Sequence, residues 1–287
     1  MDKIYEKAMK IAITGGKGGT GKSTVSVALA FELSKHNRVL LVDMDVDCPN
    51  DHLLLDIKRS FVRDVYQRIP KWDFDKCTNC GLCGGVCRTN AIVSVKGKRP
   101  IFMQGQCNGC GACAIKCPVN AISWSKKAVG KIYSGKSNNV DILSGELKLN
   151  EPSSEIVVAA VNELVKEKEK NYDFVIIDTA AGTHCDVISA LEHCDRAFAV
   201  TEPTPLGAHD LELIIRLLDI LKKPYEVILN KYEKANKEII EGLLRKHAKK
   251  VFVNIPYKKE IIEAYSQGIP IEDTGIKKLA AYVKKGA

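Results

Sequence analysis

The chain has 287 residues, 45% of them hydrophobic and 27% charged, the balance of a soluble globular protein and not of a disordered, collagen-like or fibrous one. No uncharged apolar stretch approaches the roughly 18 to 20 residues that a membrane span needs, and residues 1–10 alternate charge with short apolar pieces instead of building a signal-peptide core. A cytoplasmic protein without a membrane anchor is therefore expected. A formal net charge of +8 raises nucleic acid or an anionic membrane as partners, and 11 cysteines raise disulfides or metal, with metal favoured in a reducing compartment.

Strands are predicted at residues 10–14, 38–43, 173–178, 196–201, 225–230 and 251–255, and helices at 22–36, 206–221, 235–247, 259–267 and 276–285. Continuous apolar runs alternating with amphipathic helices predict an α/β protein with a mostly parallel sheet covered on both faces. Eight cysteines lie between Cys77 and Cys117. The chain is thus expected to divide into a discontinuous domain, residues 1–70 and 126–287, and an inserted domain, residues 71–125. Basic residues flank the insertion at 96–99 and at Lys126, Lys127, Lys131 and Lys136, and read as solvated surface charge in preference to a docking face.

The first strand runs into Gly15-Gly16-Lys17-Gly18-Gly19-Thr20-Gly21-Lys22-Ser23-Thr24 and then into a helix, which is G-x-x-x-x-G-K-[ST] in strand–loop–helix context. Glycines let backbone N–H groups approach a phosphate, and the helix start adds its positive end. Lys22 supplies a point charge to the β and γ phosphates, and the Ser23 hydroxyl suits Mg2+. Asp43 and Asp178 each close an apolar run at the carboxyl edge of the expected sheet, where they would support the magnesium directly or through water. An ordinary turn or cap aspartate is the alternative for each. Asp45, two residues past Asp43, would face the same side of an extended backbone and orient the attacking water.

Within the insertion, C-x-x-C-x-x-C-x-x-x-C occurs twice, and Cys77, Cys80, Cys83, Cys87, Asn90, Ala91 and Ile92 recur as Cys107, Cys110, Cys113, Cys117, Asn120, Ala121 and Ile122. A tight loop of three thiolates wraps three corners of a cubane, and the distant fourth cysteine closes the other one. One [4Fe–4S] cluster is therefore expected on Cys77, Cys80, Cys83 and Cys117, and a second on Cys107, Cys110, Cys113 and Cys87. Zinc is the competitor, but the third cysteine at the two-residue step has no role in a zinc site. Cys48, Cys185 and Cys194 form no C-x-x-C pair and read as small buried residues, with Cys185 the exception if there is one.

Outside the insertion the chain resembles the MinD/ParA-type P-loop ATPases, the SIMIBI-class group that includes the Mrp-like iron–sulfur carriers. The resemblance rests on the second lysine, Lys17, in the phosphate loop, on Val42-Asp43-Met44-Asp45, Ile177-Asp178-Thr179-Ala180-Ala181-Gly182, Thr201-Glu202-Pro203-Thr204-Pro205, Asn230, Ile255-Pro256 and Gln267-Gly268-Ile269-Pro270. It implies bound ATP or ADP, an ATP-dependent dimer with itself or with a paralogue, Lys17 reaching the partner's phosphates, Asp45 activating water and Asn230 reading adenine. The family's proline is replaced at Ala180 or Ala181, so a looser loop and slower hydrolysis are expected. The insertion resembles the two-cluster bacterial ferredoxins, small α+β folds, with Arg88 in place of the proline after Cys87.

The reading is a slow, partner-stimulated ATPase in which nucleotide-driven dimer closure gates electron transfer through two clusters to a redox or metal-cofactor-assembly protein. Mrp-like cluster transfer is one alternative, weakened because the ATPase domain has no bridging C-x-x-C. A positioning ATPase on membrane or DNA is another. Against it, residues 276–285 read as a core helix and no nucleic-acid recognition motif is visible.

Overall fold

The computed structural model describes residues 7–137, 140–233 and 237–286. Its centre is a nine-stranded sheet. Seven parallel strands run in the order β11 (Val251–Pro256), β10 (Tyr225–Tyr232), β9 (Arg196–Thr201), β1 (Met9–Thr14), β8 (Phe174–Thr179), β2 (Val39–Met44) and β7 (Val140–Leu147). β6 (Ile122–Ser137) follows antiparallel to β7, and β3 (Ser60–Trp72) closes the edge antiparallel to β6.

Every residue of β2 and β8 is buried, as is all of β1 except its first. Such runs have no polar side to give to water, so they are stable only with both faces covered. Helices α4 (Ser154–Lys168), α5 (Cys185–Glu192), α6 (Pro205–Ile220) and α7 (Glu238–Lys246) cover one face around Val42, Val175 and Ile177. Helices α1 (Lys22–Ser34) and α9 (Thr274–Lys285) cover the other around Ile11, Ile176 and Phe198, with α8 (Lys259–Ser266) against their edge through Ile261 and Ala264. Thr204 caps α6 by accepting from Gly207 N at 2.9 Å, with Pro205 at the first helical position, and Asp273 caps α9 by accepting from Gly275 N at 2.7 Å. No helix among the described residues is long and apolar enough to cross a membrane.

The expected strands and helices are present, although the helix expected from 235 begins at Glu238, its first two residues lying outside the described ones, as do residues 1–6. Four unforeseen elements matter to function: α4, β3, β6 and β7. Registers align Ile13, Asp178, Asp43, Ser144, Tyr133 and Phe61 in one row across β1, β8, β2, β7, β6 and β3. Beyond that row β3 runs on to Trp72, paired throughout with β6 as far as Ile122. β7 stays paired with β6 as far as Leu147 and Gly130, so the two-stranded ribbon that projects past the carboxyl edge of the parallel strands runs from Val65 to Trp72, roughly 23 Å at about 3.3 Å per residue.

Residues 73–121 hang between the two ends of the ribbon. They form α2 (Leu82–Gly85), β4 (Ile92–Val93), β5 (Ile101–Phe102) and α3 (Ala112–Ile115). The thirty-residue repeat is also a repeat of backbone: φ is 81° at Gly81 and 84° at Gly111, and 56° at Asn90 and 50° at Asn120. Asn is the side chain that best tolerates this left-handed region. The apolar core joining the insert to the ribbon is small: Ile69, Ala91 and Cys107, with Cys87 and Phe102 against them.

Candidate functional site

The phosphate loop leaves β1 at its carboxyl end and enters α1 at Lys22. Gly19 and Gly21 have φ of 81° and 91°, which only glycine adopts without strain. A Cβ at Gly16 would collide with Asp210 on α6, whereas at Gly18 it would meet nothing within 4 Å. One glycine therefore lets a helix approach, and the other lies on the open side where an anion can enter. Thr20 is buried, and its hydroxyl donates to Lys17 O at 3.4 Å. Lys22 is 6% exposed with Nζ 3.4 Å from Lys17 O, so its charge is held under the loop with one weak acceptor. Ser23 and Thr24 open α1.

Three carboxylates stand below the loop. Asp178, at the end of β8, accepts from Ser23 Oγ at 2.6 Å and Ser26 Oγ at 2.8 Å. Asp43, at the end of β2, accepts from the N–H groups of Asp45 and Asp51 at 3.2 and 3.1 Å. Asp51 is fully buried, and neither of its oxygens receives a donor among the described residues. Acceptor oxygens of Asp43, Asp51 and Asp178 lie within 4.8 Å of one another. Burial, reinforced by the neighbouring carboxylates, raises Asp43 and Asp51 well above the usual carboxylate range; it pushes Asp178 up to about 6, against the Ser23 hydrogen bond and the Lys22 charge. Hard oxygen donors at this spacing fit a magnesium-class cation. Asp51 is the member that the sequence reading missed, because an aspartate next to Pro49 and Asn50 looks like a turn residue.

Asp45 does not continue the extended backbone of β2 as expected. The strand stops at Met44, and Asp45 begins a turn in which its carbonyl accepts from Cys48 N at 3.0 Å. Its half-buried carboxyl is raised by burial and drawn back by the charge of Lys22, so it does face the phosphate loop. Asn230 Nδ2 donates to Thr20 O at 2.8 Å, buttressing the loop from behind. Lys17 lies in an ion pair with Glu202 at 3.0 Å, and Lys231 shares that carboxylate at 3.2 Å while donating to Gly19 O at 2.6 Å. Lys231 holds φ of 51°, left-handed for a lysine, at the bulge where β10 leaves its register with β11. Burial would raise Glu202, but the two lysines outweigh it and hold its carboxyl below the ordinary value. The loop with Ala180 and Ala181 is not loose at its end, since Gly182 N donates to Gly15 O at 3.1 Å.

In the insert, Cys77, Cys80, Cys83 and Cys117 line one recess together with Trp72, Leu82 and Ile122. Cys107 and Cys113 are buried and Cys110 is exposed; Cys107 lies within electrostatic reach of both Cys87 and Cys110. The fourth cysteine of each run thus faces the other run's triplet. Backbone N–H groups point at sulfur, Gly109 N to Cys107 Sγ at 3.4 Å and Ala121 N to Cys117 Sγ at 3.2 Å. Amide donors of this kind stabilise thiolates. Burial raises the thiol of Cys83, and pushes Cys113 up to about 11, so metal must displace those protons to bind. Four sulfurs around a recess with amide support fit a cubane.

Three expectations are corrected. Cys48 and Cys185 are exposed; Cys194 alone of the unassigned cysteines is buried, its thiol pushed by burial to about 12. Lys127 is not a solvated charge. It is buried on β6, donating to Glu151 at 2.6 Å and to Gln104 O at 3.1 Å. With Gln67 Nε2 donating to Cys107 O at 2.7 Å, it ties the second cysteine run to the ribbon.

The sequence profile of the CobQ/CobB/MinD/ParA nucleotide binding domain matches residues 11–271. Two uncharacterized proteins of Methanocaldococcus jannaschii are similar over nearly the whole chain. One is 36% identical over 261 residues, covering 91% of this chain and 90% of its own, and the other is 34% identical over 272 residues, covering 94% and 92%. The crystal structure of the Pyrococcus furiosus cell division ATPase MinD superposes with a TM-score of 0.60 at 23% identity, covering 98% of this chain and all of that one. The chain, with its phosphate loop on the carboxyl edge of a mostly parallel sheet, belongs to the CobQ/CobB/MinD/ParA nucleotide-binding family and has the fold of the MinD-type P-loop ATPases.

Proposed function

We propose that this is an ATP-hydrolysing iron–sulfur protein, in which ATP-driven dimer closure gates electron transfer through two [4Fe–4S] clusters to a protein partner, in iron–sulfur or other metal-cofactor assembly. The two units are the ATPase domain, residues 1–70 and 126–287, and the ferredoxin-like insert, residues 71–125. One observation carries the reading: the β3–β6 ribbon projects past the carboxyl edge of the sheet that also bears the phosphate loop, so both sites face the same side of the molecule. A change of dimer contacts at that edge acts on the ribbon that holds the cysteines.

Loop N–H groups and Lys22 bind the phosphates of ATP or ADP; Ser23, Asp43 and Asp178 hold Mg2+, and Asp45 orients water. Asn230 fixes the loop and reads adenine. Lys17 leaves Glu202 to reach the partner subunit's phosphates. Cys77, Cys80, Cys83 and Cys117 hold one cubane, and Cys107, Cys110, Cys113 and Cys87 the other; the clusters supply one-electron carriers. The dimer is of this chain or of this chain with a paralogue. Two full-length relatives in one organism are consistent with paired paralogues. The apolar side of α9 is spent on the core through Ile276, Leu279 and Val283, which favours this reading over a helix lying on a membrane.

The test is an anaerobic redox titration followed by electron paramagnetic resonance, with and without MgATP. About eight irons per chain and a nucleotide-dependent change in potential or in reduction rate are expected. A zinc-only protein would sink the cluster assignment. Identical potentials and rates in both conditions would sink the gating, and iron passing to an apo-acceptor would favour Mrp-like transfer.

A further inference from the structure

Asp51 is the least accounted-for charge in the described structure. It lies just past β2, in the segment that also carries Asp45, and is fully buried. Asp43 and Asp178 have their oxygens satisfied by backbone and hydroxyl donors; Asp51 has none on either oxygen, although its own N–H donates to Asp43. A carboxyl buried in this way is stable only with a proton, for which the neighbouring Asp178 carboxylate is the acceptor, or with a cation in the proton's place. Lys22, whose charge bears on Asp45 and Asp178, is turned toward the carbonyl of Lys17.

A hard divalent cation bound at about 2.0 to 2.6 Å by each oxygen sets opposite ligands about 4 to 5 Å apart. The oxygens of Asp43, Asp51 and Asp178 lie within 4.8 Å of one another, which is the span of such a shell. Oxygens that already accept one hydrogen bond retain a second lone pair for a metal. Three carboxylates give more negative charge than a nucleotide-bound magnesium needs, since the phosphates bring their own.

We propose that Asp51, with Asp43 and Asp178, holds a magnesium-class divalent cation beneath the phosphate loop before nucleotide arrives, with the Ser23 hydroxyl at its edge. This rests on reading Asp43 and Asp178 as the magnesium-side carboxylates of the nucleotide site. The cation then waits in the site, where the arriving phosphates meet it, and nucleotide exchange need not empty the metal. Asp51 is a positioning residue for that ion.

The experiment is a Mn2+ titration of the anaerobically purified chain with clusters intact, stripped of nucleotide and metal, following the signal of aqueous Mn2+ by electron paramagnetic resonance. The wild type is expected to take up one Mn2+ per chain without nucleotide, displaced by Mg2+, and D51N to bind it at least tenfold more weakly. If D51N does not fold, Asp51→Leu removes the buried charge without needing a partner and carries the same expectation. No uptake by nucleotide-free wild type, or equal uptake by the variant, overturns the proposal. ATP binding by the wild type in excess Mg2+ separates the two readings. Its absence counts against the nucleotide site itself, whereas ATP binding without prior Mn2+ uptake counts against Asp51 alone.

Discussion

Glu202 shows how much of this site is decided by single charges. Its carboxylate is claimed by Lys17 and Lys231 together, and it also accepts from Thr204 Oγ1 at 3.4 Å. In the proposed dimer Lys17 has to leave that pair. The lysine side chain is 36% exposed, so water screens the pair and its worth is at most about 1 kcal/mol. The Glu202→Gln variant is therefore expected to tighten the ATP-dependent dimer by up to about fivefold, read by analytical ultracentrifugation with a non-hydrolysable ATP analogue. Because the lysines hold the Glu202 carboxyl below its ordinary value, the pair persists throughout the neutral range and is lost only in acid as that lowered value is crossed. The gain should then be the same at pH 6 and pH 8. A dimer weaker than wild type would mean that Glu202 is itself part of the dimer contact.

Among the elements, the ribbon is the one on which cluster and nucleotide readings meet. Lys127 is the buried joint between β6, the turn at Gln104 and Glu151 after β7. Glu151 also borders the cleft formed with Asp47, Cys48 and Asn50, in the segment between Asp45 and Asp51. Lys127→Met keeps the length of the stem but leaves Glu151 unpaired, at a cost of about 2 to 4 kcal/mol. K127M/E151L should regain at least half of that. Hydrogen exchange of the amides around Gln104 and Cys107 measures both, and equal losses in the single and double variants would show that the pair contributes nothing. The sequence was informative where physics is local and repetitive: β1, β2 and β8 are continuous apolar runs, and the two cysteine runs repeat one spacing thirty residues apart. It was silent about β3 and β6 because Arg63, Arg68, Lys126 and Lys131 make a half-exposed, bulged ribbon look like loop. α4 is legible in the sequence, in Val157, Val161, Leu164 and Val165 at helical spacing. Lys127 and Asp51 could not be told from surface residues, since their burial is made by elements distant in the chain.

At the scale of the whole molecule, the two units differ in what holds them together. The sheet is covered on both faces by large apolar clusters, so it is expected to fold without a ligand. The insert buries only small or few apolar side chains, Ala91, Ile92, Cys107, Cys113 and Ala121, with Ile69 of the ribbon against them, and has four-residue helices and a two-strand sheet of two pairs. A module that small gains little from apolar burial against the entropy of ordering its chain, and in the proposed cluster-bound form metal ligation supplies the difference. Removing iron with a chelator under reducing conditions is therefore expected to raise amide exchange across residues 73–121 by orders of magnitude. Protection in β1, β2, β8 and α1 should stay within about threefold, and nucleotide binding should survive. The ribbon sets the limit of the effect: Tyr66 to Trp72, whose partners on β6 pair with no third strand, should exchange faster than Phe61 to Val65, whose partners on β6 are themselves paired with β7. An insert that keeps its protection without iron would mean that the cysteine runs fold as a thiol-bearing structure, and the cubane assignment would lose its physical basis.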